Sequence, residues 1–259
     1  MCKQKRNNIM LMKSMEKLKL ILIAGIISAS LLFQSCSNDD GYSLGDYWLS
    51  VATVESLDGG SHYFKMDNGT TLWPAAGYYL GHNLAVGQRT WLNFTILSDK
   101  KDGFDHYVKV NGVDPILTKE IAEDKGEEND SYYGTDPVAV KDIWVGGGYL
   151  NVIFKFNYGG MQKHFINLLP VTDSENPYEV EFRHHAYKDP AEAAVAGIVC
   201  FDLSSLPKTE GETVKLKVHF KTFNGEKTFE LEYNSDKETV TEEKSGNTSL
   251  NINFFETIN

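Results

Sequence analysis

The sequence predicts an all-β protein in which a small, closed five-stranded barrel is followed by an antiparallel β-sandwich. Three observations predict it. Short runs of alternating apolar and polar residues recur along most of the chain, Gly-, Asn- and Asp-rich breaks separate them, and one charged stretch divides them into two sets.

The first set is "DYWLSVATVES" (46–56), "HYFKMD" (62–67), "TTLWPA" (70–75), "RTWLNFTIL" (89–97) and "FDHYVKVN" (104–111). "DNG" at 67–69 predicts a tight hairpin, because Asn and Gly accept positive φ at little cost. Five strands in so short a stretch suit a closed barrel, since closure removes exposed edges. The expected barrel domain is 46–118. The stretch 119–136 is rich in charge and is expected to be an acidic linker with one helical turn near Ile121. It lacks the alternating Asp spacing and central Gly of a calcium loop.

The second set, within 137–259, is "PVAVKDIWV", "YLNVIFKFN", "QKHFINLLP", "YEVEFRHHA", "AGIVCFDL", "VKLKVHFKTF" and "KTFELEY", with a candidate last strand in "LNINFF". Its clearest pair sets Val214, Leu216, Val218 and Phe220 against Phe229, Leu231 and Tyr233, with Asn224-Gly225 as the turn. Such strands, spaced by turns, argue for an antiparallel sandwich. "VGGGYL" and "NYGGMQ" read as hairpin loops, and "EAAVAG" (192–197) as a loop or short helix.

The N-terminal residues carry an address. Lys13, Lys17 and Lys19 precede the 14-residue apolar run Leu20–Phe33, which has the length of a signal h-region and is short for a membrane span. Phe33-Gln34-Ser35-Cys36 resembles the bacterial lipobox, in which the cysteine receives lipid and becomes the first residue. Residues 1–35 are thus expected to be a lipoprotein signal peptide, Cys36 the lipid anchor and 36–45 a tether. "SNDDG" after the cysteine resembles a surface-export signal of lipoproteins in some Gram-negative anaerobes. The expected location is the outer membrane, lipid-anchored; if "SNDDG" is that signal the protein faces the cell exterior, and the alternative is a plain solvated tether.

The formal net charge is −11, and it becomes −16 without residues 1–35, which hold six bases and one acid. A surface this acidic repels phosphate backbones, so nucleic acid is not an expected partner. Of the cysteines, Cys200 lies in an apolar run and is expected to be a buried thiol rather than a nucleophile.

"GYSLGDYWLSVATVE", "YFKMDNGTTLWPAA", "GQRTWLNFTILSDK" and "DHYVKVNGVDPILTK" resemble, in order and spacing, the NigD-like lipoprotein family, and "VEFRHHAYKDP" and "GIVCFDLSSLP" resemble its C-terminal half. The resemblance implies an OB-like barrel followed by an immunoglobulin-like sandwich. It brings no catalytic activity and no cofactor. The family's association with bacteriocin gene clusters leaves self-protection against a bacteriocin as an alternative role.

Chemical motifs are scarce. The seven histidines form no HExxH, there is no CxxC or GxSxG, and no metal site or cofactor is expected. His184 and His185 are adjacent on a predicted strand and point to opposite faces. Arg183, His185, Tyr187 and Asp189 alternate and form a candidate polar cluster. A hydrolase using two of the many carboxylates is a further alternative. Aromatics, including Trp48, Tyr63, Trp73, Trp91 and Tyr107, concentrate in the barrel, and Trp73, Tyr78 and Tyr79 are the candidate ligand-binding residues, because Pro74 stops the strand beside them. OB barrels bind oligomers by stacking on such rings. The expected function is that of a non-enzymatic binding or accessory module whose partner is an envelope protein, a glycan or a peptide.

Overall fold

The computed structural model describes residues 42–57, 60–77, 84–237 and 258–259. Cys36, Tyr78, Tyr79 and the candidate strand "LNINFF" lie outside the described residues. Among those described, no helix is long and apolar enough to cross a membrane.

Strands β1 (Trp48–Ser56), β2 (His62–Met66), β3 (Thr71–Gly77), β4 (Arg89–Ser98) and β5 (His106–Pro115) close into a barrel in the order β1-β2-β3-β5-β4. Four of its pairings are antiparallel, and β3–β5 is parallel. The "DNG" turn joins β2 to β3: the Gly69 amide donates to the Met66 carbonyl, and Gly69 has φ 86°. Alternation sorts the side chains. Val54, Phe64, Leu72, Leu92, Phe94, Val108 and Val110 fill the barrel, while their strand neighbours face outward.

The sandwich consists of β6 (Leu117–Glu120), β7 (Ala139–Gly146), β8 (Tyr149–Tyr158), β9 (Phe165–Pro170), β10 (Glu179–His185), β11 (Ala193–Asp202), β12 (Val214–Thr222) and β13 (Gly225–Tyr233). One sheet runs β13-β12-β10-β9 and the other β6-β11-β8-β7. Pairing is antiparallel except for β10–β12 and β6–β11. The predicted hairpin forms, with Leu216 opposite Leu231 and Val218 opposite Phe229.

Four local expectations need correction. Pro74 does not stop its strand: β3 runs on to Gly77, with a register shift between Pro74 and Ala76 where it pairs with β5. The acidic stretch 119–136 is exposed over residues 123–128 but held at both ends: its first residues belong to β6, Tyr133 is buried, and the Tyr133 hydroxyl donates to the Glu123 carbonyl. Leu117, Ile121 and Tyr133 supply the apolar grip that the surrounding charges mask. Its helical residues are a 3-10 turn at Gly126–Glu128 and α1 at Asn129–Tyr133, beyond Ile121. Residues 193–197 of "EAAVAG" are strand, paired with Tyr158–Phe154 of β8. "NYGGMQ" passes from one sheet to the other and is not a hairpin loop.

β11 shows why its sequence reads as one apolar run. Val199 and Phe201 enter the sandwich core, whereas Ala196, Ile198 and Cys200 face the barrel. There they join Val51, Ile116 and Trp91 in a third core shared by the two domains. A strand buried on both faces has no polar side to alternate with.

Candidate functional site

The outer face of the barrel carries four half-buried aromatic rings: Tyr63 on β2, Trp73 on β3, Tyr107 on β5 and Phe104 in the β4–β5 loop. Each strand residue is placed there by its inward neighbour, since Phe64, Leu72 and Val108 point into the barrel core. Phe104 is central, with ring centroids 5.3 Å from Tyr63, 5.1 Å from Trp73 and 6.5 Å from Tyr107. Trp73 and Tyr107 pair in register, with centroids 6.4 Å apart. The tilted and edge-on angles are those that ring quadrupoles favour. Polar groups fringe the cluster: the Tyr107 hydroxyl donates to Asp102 at 2.7 Å, and the Lys101 ammonium lies 4.9 Å from the Tyr107 ring centre. Trp73 thus belongs to a ring cluster. Of the other barrel aromatics, Trp91 packs in the shared core and Trp48 against the barrel core.

A second constellation joins the two domains. The Asp67 carboxylate, the first residue of the "DNG" turn, sits 2.6 Å from Arg89 Nη1. Its Oδ2 accepts from Trp144 Nε1 at 2.8 Å and from Asn151 Nδ2 at 3.1 Å. Arg89 also donates to Thr53 Oγ1 at 2.9 Å and Asn151 Oδ1 at 2.7 Å, and its guanidinium lies 4.6 Å from the Tyr149 ring centre. The Arg89 side chain is wholly buried and that of Asp67 is 7% exposed. Burial opposes its charge, but the surroundings, Asp67 among them, hold the guanidinium protonated. Cys200 packs beside this network, its thiol donating to Asn151 Oδ1 at 3.0 Å, and burial pushes that thiol up to about 11. It is the buried thiol the sequence predicts. Approach here is close enough to demand glycine: a Cβ on Gly146 would stand 2.5 Å from Asp67 Cβ.

The predicted polar cluster of Arg183, His185, Tyr187 and Asp189 is split three ways. Arg183 pairs with Asp130 at 2.6 Å and Glu181 at 2.8 Å. His185 stacks on Tyr187 with centroids 4.0 Å apart. Asp189 turns inward, accepting from the Gly159 and Met161 amides and from His164 Nε2 at 3.1 Å. Alternation fails because β10 stops at His185 and the next turn holds Tyr187 and Lys188 at φ 52° and 64°.

His184, on the opposite face from His185, is buried and shares a 2.8 Å hydrogen bond with His164 Nδ1. The Asp189–His164–His184 chain lies under Phe156 and Tyr158 at one end of the sandwich. Burial tends to raise the Asp189 carboxyl, but the two amides and His164 outweigh it, so the carboxyl is held low. Burial, helped by His164, pushes the His184 ring down to about 4. A folded-state value below the free value of about 6.5 means that the unfolded chain takes up the proton first. Stability is therefore full above pH ~6.5 and falls as pH drops toward about 4. Between pH 6.5 and 5, this one group lowers unfolding free energy by about 2 kcal/mol. Guanidinium titrations at the two pH values check this, and the His184→Leu variant is expected to lose that part of the slope.

Nothing in the sequence spacing announces Asp67, Arg89 or His164. The usable signals were single polar residues in apolar runs, such as Asn151 in "YLNVIF" and His164 before "FINLL".

Comparison with known proteins covers both domains. Residues 51–116 match the NigD-like N-terminal OB domain, and residues 120–233 the NigD-like C-terminal β-sandwich domain. A solved protein from Parabacteroides distasonis, described as toxin-related, is 47% identical, with a TM-score of 0.68 and coverage of 74% of this chain and 95% of its own. A protein of unknown function from Bacteroides vulgatus is 26% identical, with a TM-score of 0.66 and coverage of 76% and 95%. A NigD-like immunity protein from Bacteroides caccae shares the fold at 20% identity, with a TM-score of 0.54 and coverage of 76% and 100%. No curated protein matches. The two consecutive domain matches cover most of the chain and coincide with the barrel and the sandwich, so the chain belongs to the NigD-like family, an OB-like barrel followed by a β-sandwich.

Proposed function

We propose that the chain is a non-enzymatic, lipid-anchored envelope protein that binds a glycan on the outer face of its barrel. The observation that carries this reading is the ring cluster of Tyr63, Trp73, Phe104 and Tyr107. Strands 2 and 3 of OB barrels, with the loop between strands 4 and 5, bind oligosaccharides and oligonucleotides. Here those elements supply Tyr63, Trp73 and Phe104. The net charge of −11 disfavours the oligonucleotide. An extended peptide gains most of its affinity by adding a strand to a free edge, and the closed barrel has none to offer. Sugar rings need only flat apolar faces and fringing acceptors, which the rings and Asp102 provide.

A glycan array probed with the full-length protein in detergent tests this reading. Expected is binding to oligosaccharides that falls when Trp73 is replaced by Ala; capture of peptides alone, or binding indifferent to Trp73, speaks against it.

The lipobox supports the anchor. Cys36→Ala is expected to move the protein from the membrane fraction to the soluble fraction, because acyl chains contribute about 0.8 kcal/mol per buried methylene. Fractionation followed by immunoblotting reads this out. The immunity and toxin-related descriptions of two structural relatives favour a second reading, self-protection. A deletion strain with unchanged sensitivity to toxins from neighbouring strains counts against it.

A further inference from the structure

Among the described residues, Lys101, Lys119, Lys125 and Lys227 each set an ammonium group over an aromatic ring. Three of these lysines are exposed, and Lys119 alone is half-buried. Its strand explains the difference. Lys119 lies on β6, the edge strand of its sheet. Alternation sends Leu117, Lys119 and Ile121 to one face, and Leu117 and Ile121 pack against the sandwich core. The lysine stem is thus flanked by apolar neighbours, and its ammonium ends 4.3 Å from the centre of the Phe165 ring. Phe165 belongs to β9, the edge strand of the opposite sheet. Tyr133 stacks on Phe165 at 6.1 Å, and Tyr132 meets it edge-on at 6.1 Å. The amine therefore stands against a cluster of three rings.

Acidic residues are dense in the sequence that follows, yet none pairs with this ammonium among the described residues. Asp124 is engaged by the Gly126 amide, Asn129 and Thr172, and Asp130 by Arg183. Burial without a counter-charge disfavours the ammonium and pushes the Lys119 amine down to about 8. The neutral, nucleophilic form is then at hand near neutral pH, as it is in lysines that form Schiff bases.

The ring selects the kind of electrophile. Acylation leaves a neutral amide and forfeits the cation–π contact. Condensation with an aldehyde gives an iminium, which keeps the positive charge over Phe165. We infer that Lys119, set against Phe165, Tyr132 and Tyr133, is a covalent capture site for aldehydes. The neutral amine adds to the carbonyl carbon and a C–N bond forms. The carbonyl oxygen leaves as water with the two amine hydrogens, and the imine nitrogen takes up one proton from solvent. No oxidant or reductant is consumed, and water reverses the step.

Reductive labelling of the full-length protein in detergent tests this. Propanal is the probe, cyanoborohydride traps the imine, and peptide mapping by mass spectrometry reads each lysine. Lys125, exposed over its own ring, is the internal standard, so the ratio of the two labels cancels the pH dependence of the trapping reagent. At about pH 7.5, Lys119 is expected to label about 10-fold faster than Lys125. The ratio is expected to fall as pH rises beyond about 8, where Lys119 is already neutral and an ordinary lysine is still gaining its neutral form. Phe165→Ala, which lets water reach the amine, is expected to bring the ratio toward unity. An acetylating succinimidyl ester, whose product loses the charge, is expected to give a smaller ratio than propanal. Equal labelling of the two lysines in the unsubstituted protein, or a ratio that does not change with pH, overturns the site. A larger ratio with the ester than with propanal overturns its assignment to aldehydes.

Discussion

Asp67→Ala is expected to lower the unfolding free energy by about 3–5 kcal/mol, the cost of leaving a buried cation without its partner. The loss is large because Arg89 is wholly buried and cannot swing into water. Trp144 Nε1 and Asn151 Nδ2 lose an acceptor at the same time. For a folded chain of this size the change corresponds to a melting temperature lower by roughly 6–20 °C. Thermal unfolding by circular dichroism measures it. The pair is not itself a net source of stability, since replacing both partners by apolar residues is often neutral. Arg89→Met/Asp67→Leu is accordingly expected to recover part of the loss. A double variant no better than Asp67→Ala would show that the network of Thr53, Asn151 and Trp144 needs both charges.

Trp73→Ala is expected to weaken glycan binding by roughly 5- to 150-fold, the equivalent of about 1–3 kcal/mol for one stacking platform. The fold should survive, because Trp73 is half-exposed and its inward neighbours Leu72 and Pro74 keep the strand in place. Binding and melting temperature must therefore separate: affinity falls while the melting temperature moves little. If both collapse together, the ring cluster is a packing element of the barrel and not a ligand platform.

Much of this fold is legible in the sequence because alternation and turn chemistry are local. "HYFKM" and "TTLW" around "DNG" specify strand, turn and strand from a dozen residues, and the structure places Phe64 opposite Leu72 as that pattern requires. The β12–β13 hairpin is readable for the same reason. The acidic stretch misleads because composition averages over it. Ile121 and Tyr133 are few among the charges, yet they are the residues that dock. "EAAVAG" misleads because small residues carry weak strand propensity, whereas pairing with β8 is decided by a distant segment.

The site is less legible. Trp73 is recognisable as a binding candidate from its neighbours, but its partner Phe104 lies in the β4–β5 loop and is brought to it by barrel closure. Asp67 presents itself as an ordinary turn residue. Its burial depends on Gly146 and Asn151, about 80 residues later, approaching the same turn. The Arg183–Asp189 cluster fails because two left-handed residues in the turn end the alternation that suggested it.

The outer barrel face is expected to receive the ligand, and the four tryptophans allow a direct test. Each indole N–H gives its own signal in a two-dimensional ¹H–¹⁵N spectrum. Trp91 and Trp144 flank the shared core, Trp48 packs at the barrel core, and Trp73 alone among them belongs to the ring cluster. On titration of the full-length protein with a neutral oligosaccharide taken from the array, the Trp73 signal is predicted to move and saturate while the other three stay in place. A saturating ligand that leaves Trp73 unmoved, or that shifts Trp91 or Trp144 instead, would contradict the account.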